Sequence, residues 1–208
     1  MLFTLIGILL SLVYLILAIA IHEFSHAFAA DRLGDPTARA AGRLTLNPFA
    51  HIDLVGTVVL PLSLMLLSGG GFAFGWGKPT PFDPYNLQKP RRDAGIISIA
   101  GPISNLLLAS VIALIVHFLP YTFGVFLVPF VVVNISLAVF NLIPVGPLDG
   151  QKIVFALLPR SLAYEYQVIM NRYGTLLLIF LIFPFFGSSP VMAILEPAIR
   201  FLTHLLLP

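Results

Sequence analysis

The stretch "AIAIHEFSHAFAA" (residues 18–30) closes a long apolar run and places His22, Glu23 and His26 where lipid is expected. An ionisable side chain at bilayer depth costs about 2.5–3.5 kcal/mol on insertion scales, so such groups face protein or a wet cavity. Helical positions i and i+4 share a face, about 6 Å apart along the axis. His22 and His26 have that spacing, so both imidazoles can bind one Zn2+. Glu23 stands beside them, placed to take a proton from an attacking water, as an H-E-x-x-H arrangement requires. The competing explanation is a pair of polar helical residues facing a water-filled vestibule.

Composition makes lipid the solvent of this chain. It has 208 residues, 59% hydrophobic and 10% charged, with a mean hydropathy of +1.01. A soluble domain carries about 25% charged residues. The expected fold is therefore all-α and polytopic, with residues 1–208 forming a single integral-membrane domain. A net charge of +2 implies no nucleic-acid partner, and the absence of cysteine excludes disulfides and cysteine metal sites. Residues Ala18-Ile19-Ala20 resemble a signal-peptidase site, but no Lys or Arg precedes the apolar run. The run is read as a retained transmembrane helix.

Apolar segments follow at 52–68, 94–119, 121–143, 173–187 and 190–207, with a short helix expected over 151–158. The segment 43–47, "RLTLN", alternates like a short strand. The last stretch contains Glu196 and Arg200 and fits either a tilted span or an interfacial helix. Charge placement argues the topology. Arg32, Arg39 and Arg43 follow the first span, and Lys78, Lys89, Arg91 and Arg92 precede the span at 94–119. Lys152, Arg160 and Arg172 follow the span at 121–143. If 52–68 does not cross, all these fall on one side and only Arg200 is left over. The segment is then expected to enter the membrane and return. Irregular backbone of that kind is tolerated only against protein or a wet cavity. The same rule puts the His/Glu cluster toward the cytoplasmic side of a cell membrane.

A catalytic zinc needs a third protein ligand and an open position. The candidates are His51, His117, His204 and a few carboxylates. Asp149 is the strongest, because Pro144 and Pro147 must break the preceding helix and leave irregular backbone at membrane depth. Two spans after HEFSH go out and back, which returns Asp149 to the side of His22 and His26. That parity holds only if 52–68 does not cross. The competing explanation for Asp149 is an exposed loop carboxylate capping the helix over 151–158.

These residues carry a resemblance. HEFSH at the end of an apolar helix, "AGPISN" (100–105) opening the next strong span and "NLIPVGPLDG" (141–150) closing the one after resemble the site-2 protease family of intramembrane zinc metalloproteases. "GRLTLNPFAHID" (42–53) and "FGWGKPTPFDP" (74–84) are similar to its compact prokaryotic branch, which lacks a PDZ domain. The match covers roughly residues 10–160 and leaves C-terminal helices over 161–208. It implies a three-helix catalytic core, one zinc held by His22, His26 and Asp149, and Glu23 as general base. It implies hydrolysis of peptide bonds in transmembrane protein substrates within the bilayer, as in regulated intramembrane proteolysis.

Other residues have weaker roles. The amide of Asn141, eight residues before Asp149, could bind a substrate carbonyl or the oxyanion; an interhelical hydrogen bond would also account for it. His51 could reach the site from its loop as a transition-state donor, or simply hold a backbone partner. Asn105 is expected to pack helices, and His117 and His204 to anchor span ends. In "GFAFGWG" (71–77), Phe72, Phe74 and Trp76 alternate with Ala73, Gly75 and Gly77. As a small membrane-associated β element it would have a nearly bare face at Gly75 and Gly77, where an unwound substrate could add as a strand. Two rival functions are a catalytically silent zinc-binding scaffold and a metal-ion transporter. Transporters often show paired halves with interrupted helices, and no such repeat occurs here.

Overall fold

A computed structural model describes residues 2–67, 75–183 and 189–207. Among the described residues three helices are long and apolar enough to cross a membrane: α1 (Leu2–Arg32), α4 (Pro90–Phe118) and α5 (Tyr121–Asn141). Between α1 and α4 lie the short α2 (Thr37–Ala40) and a π-helical turn, Leu54–Val59, that runs into α3 (Leu60–Leu67). After α5 come α6 (Asp149–Leu157), α7 (Arg160–Ile182) and α8 (Pro190–Leu206). The described residues are thus all-α, with three helices able to span, as a multi-pass membrane protein requires.

Small residues let α1, α4 and α5 approach closely, as helix contacts in lipid require. Ala18, Ala109, Ala113 and Ala138 are buried at their crossings, with Val131 and Ile135 filling the space between. The hydroxyl of Tyr14 donates to the carbonyl of Phe126 at 2.6 Å, and its ring stacks on Phe130. α8 closes this core from outside, where Ile199, Leu202 and Leu206 pack against it.

The described residues between α1 and α4 begin and end side by side. Their apolar helical part, Leu54–Leu66, is about 20 Å long at 1.5 Å per residue, short of the roughly 30 Å hydrocarbon core. The buried carboxylate of Asp35, just past α1, accepts the main-chain N–H of Asp83 at 2.7 Å and the amide of Asn86 at 2.8 Å. The end of α1 and the approach to α4 therefore lie on one side, as the charge pattern requires.

Three sequence expectations change. Residues 43–47 form bends rather than a strand, because Arg43 turns inward and donates to the carbonyl of Ala50, while Asn47 caps a 3-10 turn over Pro48–Ala50. There is no strand among the described residues, so the β element expected over 71–77 is not seen; residues 71–74 of it lie outside the described residues. Finally, α7 begins at Arg160, so the apolar stretch expected from 173 is the second half of a longer, amphipathic helix.

Candidate active site

HEFSH occupies the last turns of α1, and α6 carries Asp149 at its first residue. Nε2 of His22 and of His26 lie 3.0 and 3.1 Å from the same oxygen, Oδ2 of Asp149. The ligating atoms of the three residues all fall within 4.8 Å of one another. His22 and His26 are buried, and their rings meet edge to face.

The hydrogen bonds behind the imidazoles decide what this cluster can hold. Asn134 on α5 donates its amide to the Phe130 carbonyl at 2.9 Å, which turns its Oδ1 toward Asn105. Asn105 on α4 donates to that oxygen at 2.8 Å and to the Ala18 carbonyl at 3.1 Å. Its own Oδ1 is left facing Nδ1 of His22 at 2.6 Å. That oxygen only accepts, so His22 carries its proton on Nδ1. His26 is fixed in the same way, its Nδ1 donating to the Ile97 carbonyl at 2.7 Å. Both Nε2 atoms then present lone pairs to a carboxylate oxygen. Three acceptors converge on one point, which calls for a cation between them. Two imidazole nitrogens and a carboxylate with their outer nitrogens tied are a donor set that fits Zn2+.

Gly101 makes room for the rings. A Cβ on it would lie 2.5 Å from Nε2 of His26 and 2.7 Å from Cε1 of His22. Glycine at 150 permits the sharp start of α6, where a Cβ would strike the carbonyls of Ile143 and Leu142 at 2.2 and 2.4 Å. The other end of α6 is held by Arg91, whose guanidinium donates to the carbonyls of Phe155 (2.7 Å), Ala156 (3.2 Å) and Leu158. Arg91 thus caps the helix that presents Asp149.

Glu23 lies on the same cavity, and its Oε2 accepts the main-chain N–H of Thr80 at 2.8 Å. The Thr80 hydroxyl also donates to the Glu23 carbonyl at 3.0 Å. Thr80 ends a segment bonded to the protein at alternate residues. The Trp76 N–H donates to the Gly56 carbonyl at 3.0 Å, and the Lys78 N–H to the His51 carbonyl at 2.8 Å. Gly75 precedes Trp76 and Gly77 lies between Trp76 and Lys78, both with their Cα faces pressed on the protein. A Cβ on Gly75 would sit 2.5 Å from the Gly56 carbonyl, and one on Gly77 would sit 2.5 Å from Ile19.

All of this borders one cavity of about 500 Å3. The structure brings His22, Glu23, His26, Gly75, Gly77, Asn141 and Asp149 to its wall. The Asn141 amide donates to the Leu137 carbonyl one turn back, at 2.9 Å. His51 is not brought there. It is buried in its loop, with Nε2 donating to the Thr45 carbonyl at 2.8 Å, and it supports the 75–80 segment through its own carbonyl. Two residues acquire roles that their sequence positions did not announce. Asn105 orients the His22 ring, a candidate ligand, as well as packing helices, and Asn134 fixes Asn105. The signal available was the polar residue in each apolar span.

Comparison with known proteins agrees with this geometry. The family model described as Peptidase family M50 matches residues 10–123 and 121–181. The chain is 38% identical over 157 residues to "Putative zinc metalloprotease YwhC" of Bacillus subtilis, an alignment covering 70% of this chain and 67% of that protein. It is 32% identical over 144 residues to "Putative zinc metalloprotease Rip2" of Mycolicibacterium smegmatis, covering 65% of this chain and 52% of that one. Against the Mycobacterium tuberculosis (strain H37Rv) protein of the same name it is 29% identical over 181 residues, covering 84% of this chain and 65% of that one. The chain thus spans between about half and two thirds of the length of these relatives. No solved structure matches it. With a family model covering most of its length and a His-His-Asp cluster suited to zinc, the chain belongs to peptidase family M50, the site-2 protease family of membrane zinc metalloproteases.

Proposed function

We propose that the chain is an intramembrane zinc metalloendopeptidase of the HExxH type that hydrolyses peptide bonds in membrane-embedded protein segments, with its site toward the cytoplasmic side. One observation carries the reading: His22, His26 and Asp149 converge as acceptors on one point, with Glu23 on the same cavity. Zinc held by those three residues would supply Lewis-acid chemistry, polarising the scissile carbonyl and acidifying a water.

The chain's own residues do the rest. Glu23 takes the proton of the attacking water and returns it to the leaving amine. The Thr80 N–H keeps its carboxylate aimed into the cavity. The amide of Asn141, on the same wall, donates to the oxyanion as charge develops there. The substrate must unwind first, because a helix hides its carbonyls in its own hydrogen bonds. Residues 75–80 support a way to hold it unwound. Trp76, Lys78 and Thr80 turn main-chain groups toward the protein, and an extended chain turns those of the residues between to the opposite edge. Gly75 and Gly77 make no such bond among the described residues and line the cavity, so that edge can take up an added strand. Their lack of side chains also serves the close approach to Gly56 and Ile19.

Glu23→Gln tests the mechanism in purified protein reconstituted in bicelles. The variant keeps one zinc per chain and loses hydrolysis of a transmembrane peptide. Hydrolysis at the wild-type rate would remove Glu23 from the chemistry. A wild-type protein that binds zinc and cleaves nothing would leave a zinc-binding scaffold.

A further inference from the structure

The cavity wall is mostly apolar, with a few polar groups set into it. Ile19, Leu137, Leu178 and Ile182 contribute apolar surface to it, while Ser98 and Lys152 contribute a hydroxyl and an ammonium. Packing of α4 on α6 fixes where these two stand. Gly95 abuts Ala156, with the Lys152 carbonyl 3.7 Å from where its Cβ would be. Gly101, further along α4, abuts His22 and His26, the partners of Asp149. Ser98 lies between these levels, beside the turn of α6 that runs from Asp149 to Lys152. Those two α6 residues are three apart and share a face.

Neither polar group has an anionic partner. Nζ of Lys152 rests 4.9 Å from the centre of the Phe82 ring, and among the described residues no carboxylate is within ion-pair distance of it. Ser98 is 1% exposed, and its Oγ makes no hydrogen bond. A buried hydroxyl without a partner is costly, and a ligand that accepts from it removes that cost. The charges point the same way. The carboxylates of Asp149 and Glu23 would balance a bound dication, leaving the Lys152 ammonium as excess positive charge on the cavity wall.

We propose that Lys152 and Ser98 form an anion subsite that takes a carboxylate side chain on the substrate, on the aqueous flank of the scissile bond. This rests on the peptidase reading above and adds a rule of substrate choice. Most membrane helices carry Lys and Arg on their cytoplasmic flank. Lys152 repels such a flank and accepts an acidic one, so it rejects most bilayer segments as well as selecting a few. Lys152 shares its cavity with Glu23, which favours a substrate group over a lipid headgroup.

The test uses transmembrane peptides that differ only in carrying Glu, Gln or Lys, placed in turn at each position of the aqueous flank. Binding is measured to the zinc-loaded Glu23→Gln protein in neutral bicelles, and cleavage with the wild type. At one flank position Glu binds about tenfold more tightly than Gln, as a desolvated charge-assisted pair would give, and Lys binds more weakly than either. Lys152→Gln brings the Glu-to-Gln ratio near one, Lys152→Glu inverts the preference toward the Lys peptide, and Ser98→Ala narrows the ratio about twofold. Zinc content per chain shows that each variant retains the metal site. A ratio near one at every position in the parent protein, or one indifferent to Lys152→Glu, overturns the subsite. So does an effect of Lys152→Gln that needs anionic lipid and is equal for all peptides. Product peptides ending in carboxylate or amide form a further arm; discrimination there, with none between Glu and Gln, would move the anion to the product terminus and overturn the side-chain assignment. If Glu is preferred in binding but the wild type cleaves nothing, the subsite stands and the peptidase reading falls. Cleavage without flank preference gives the reverse.

Discussion

Gly101 faces His26 with no room for a methyl group: a Cβ on Gly101 would lie 2.5 Å from the ring nitrogen that points at Asp149. The missing side chain is therefore part of how the candidate metal site is built. Gly101→Ala is expected to displace both imidazoles by a few tenths of an ångström or more and to lower zinc affinity about 10–100-fold, the range seen when support of a ligand is lost. Gly101→Val should abolish binding. Chelator competition measures both, and an unchanged affinity in Gly101→Ala would show that the rings have slack.

Asn105 acts on the same ligands from behind. Its Oδ1 is committed to His22 because both its amide hydrogens are already used, on Ala18 and Asn134. Asn105→Leu keeps the volume and removes the acceptor. His22 is then free to put its proton on Nε2, where the metal should sit. Zinc affinity should fall about 10–100-fold, with a smaller loss for Asn134→Leu, which leaves Asn105 present but unfixed. Equal losses in the two variants would mean that both asparagines act only through helix packing.

Much of this could be read from the chain because membrane insertion restricts what a sequence can mean. HEFSH, the charges at 32–43 and 78–92, and the broken helix before Asp149 left few topologies, and in the structure the stretches before and after 52–68 meet through Asp35, Asp83 and Asn86, as a returning segment requires. Less legible were contacts between residues far apart in sequence that share no motif. The amide chain from Phe130 through Asn134 and Asn105 to His22 needs the crossing of three helices to exist. The turn at 43–47 misled for a related reason: its alternation of apolar and polar residues is local, but Arg43 is drawn inward by the carbonyls of Ala50 and Lys78.

Asp35 should make the loop assembly sensitive to acid. It is fully buried, and burial alone would push its carboxyl up. Hydrogen bonds from Thr37, Asn86 and the Asp83 main chain outweigh that and hold it below its ordinary 3.8. A carboxyl lowered on folding stabilises the fold fully above the unfolded value and loses that contribution as pH falls through the folded one. Asp35→Asn should therefore lower stability by about 2–3 kcal/mol at pH 7, in line with hydrogen bonds to a charged group. The gap to wild type should narrow on acidification below 3.8. Thermal unfolding in detergent at several pH values checks this; a gap independent of pH would show that the carboxylate charge is not what the four donors recognise.

The return of the 52–68 segment can be tested directly, because the chain has no cysteine and any introduced thiol reports alone. Ala41, Gln88 and Ser161 are exposed; the first two lie in the connections before the segment and after it, and Ser161 lies in the first turn of α7. Thr122 is exposed at the start of α5, at the other end of the spanning helices. With a membrane-impermeant maleimide on intact cells, cysteines at 41, 88 and 161 should be protected and one at 122 labelled; inverted vesicles should reverse the pattern. The contact of Asp35 with Asp83 and Asn86 requires positions 41 and 88 to behave alike. Opposite labelling of those two would mean that 52–68 crosses. Asp149 would then be carried away from His22 and His26, and the metal site would lose its third ligand. Common labelling of 41, 88 and 161 from outside the cell would keep the site intact and reverse only its orientation.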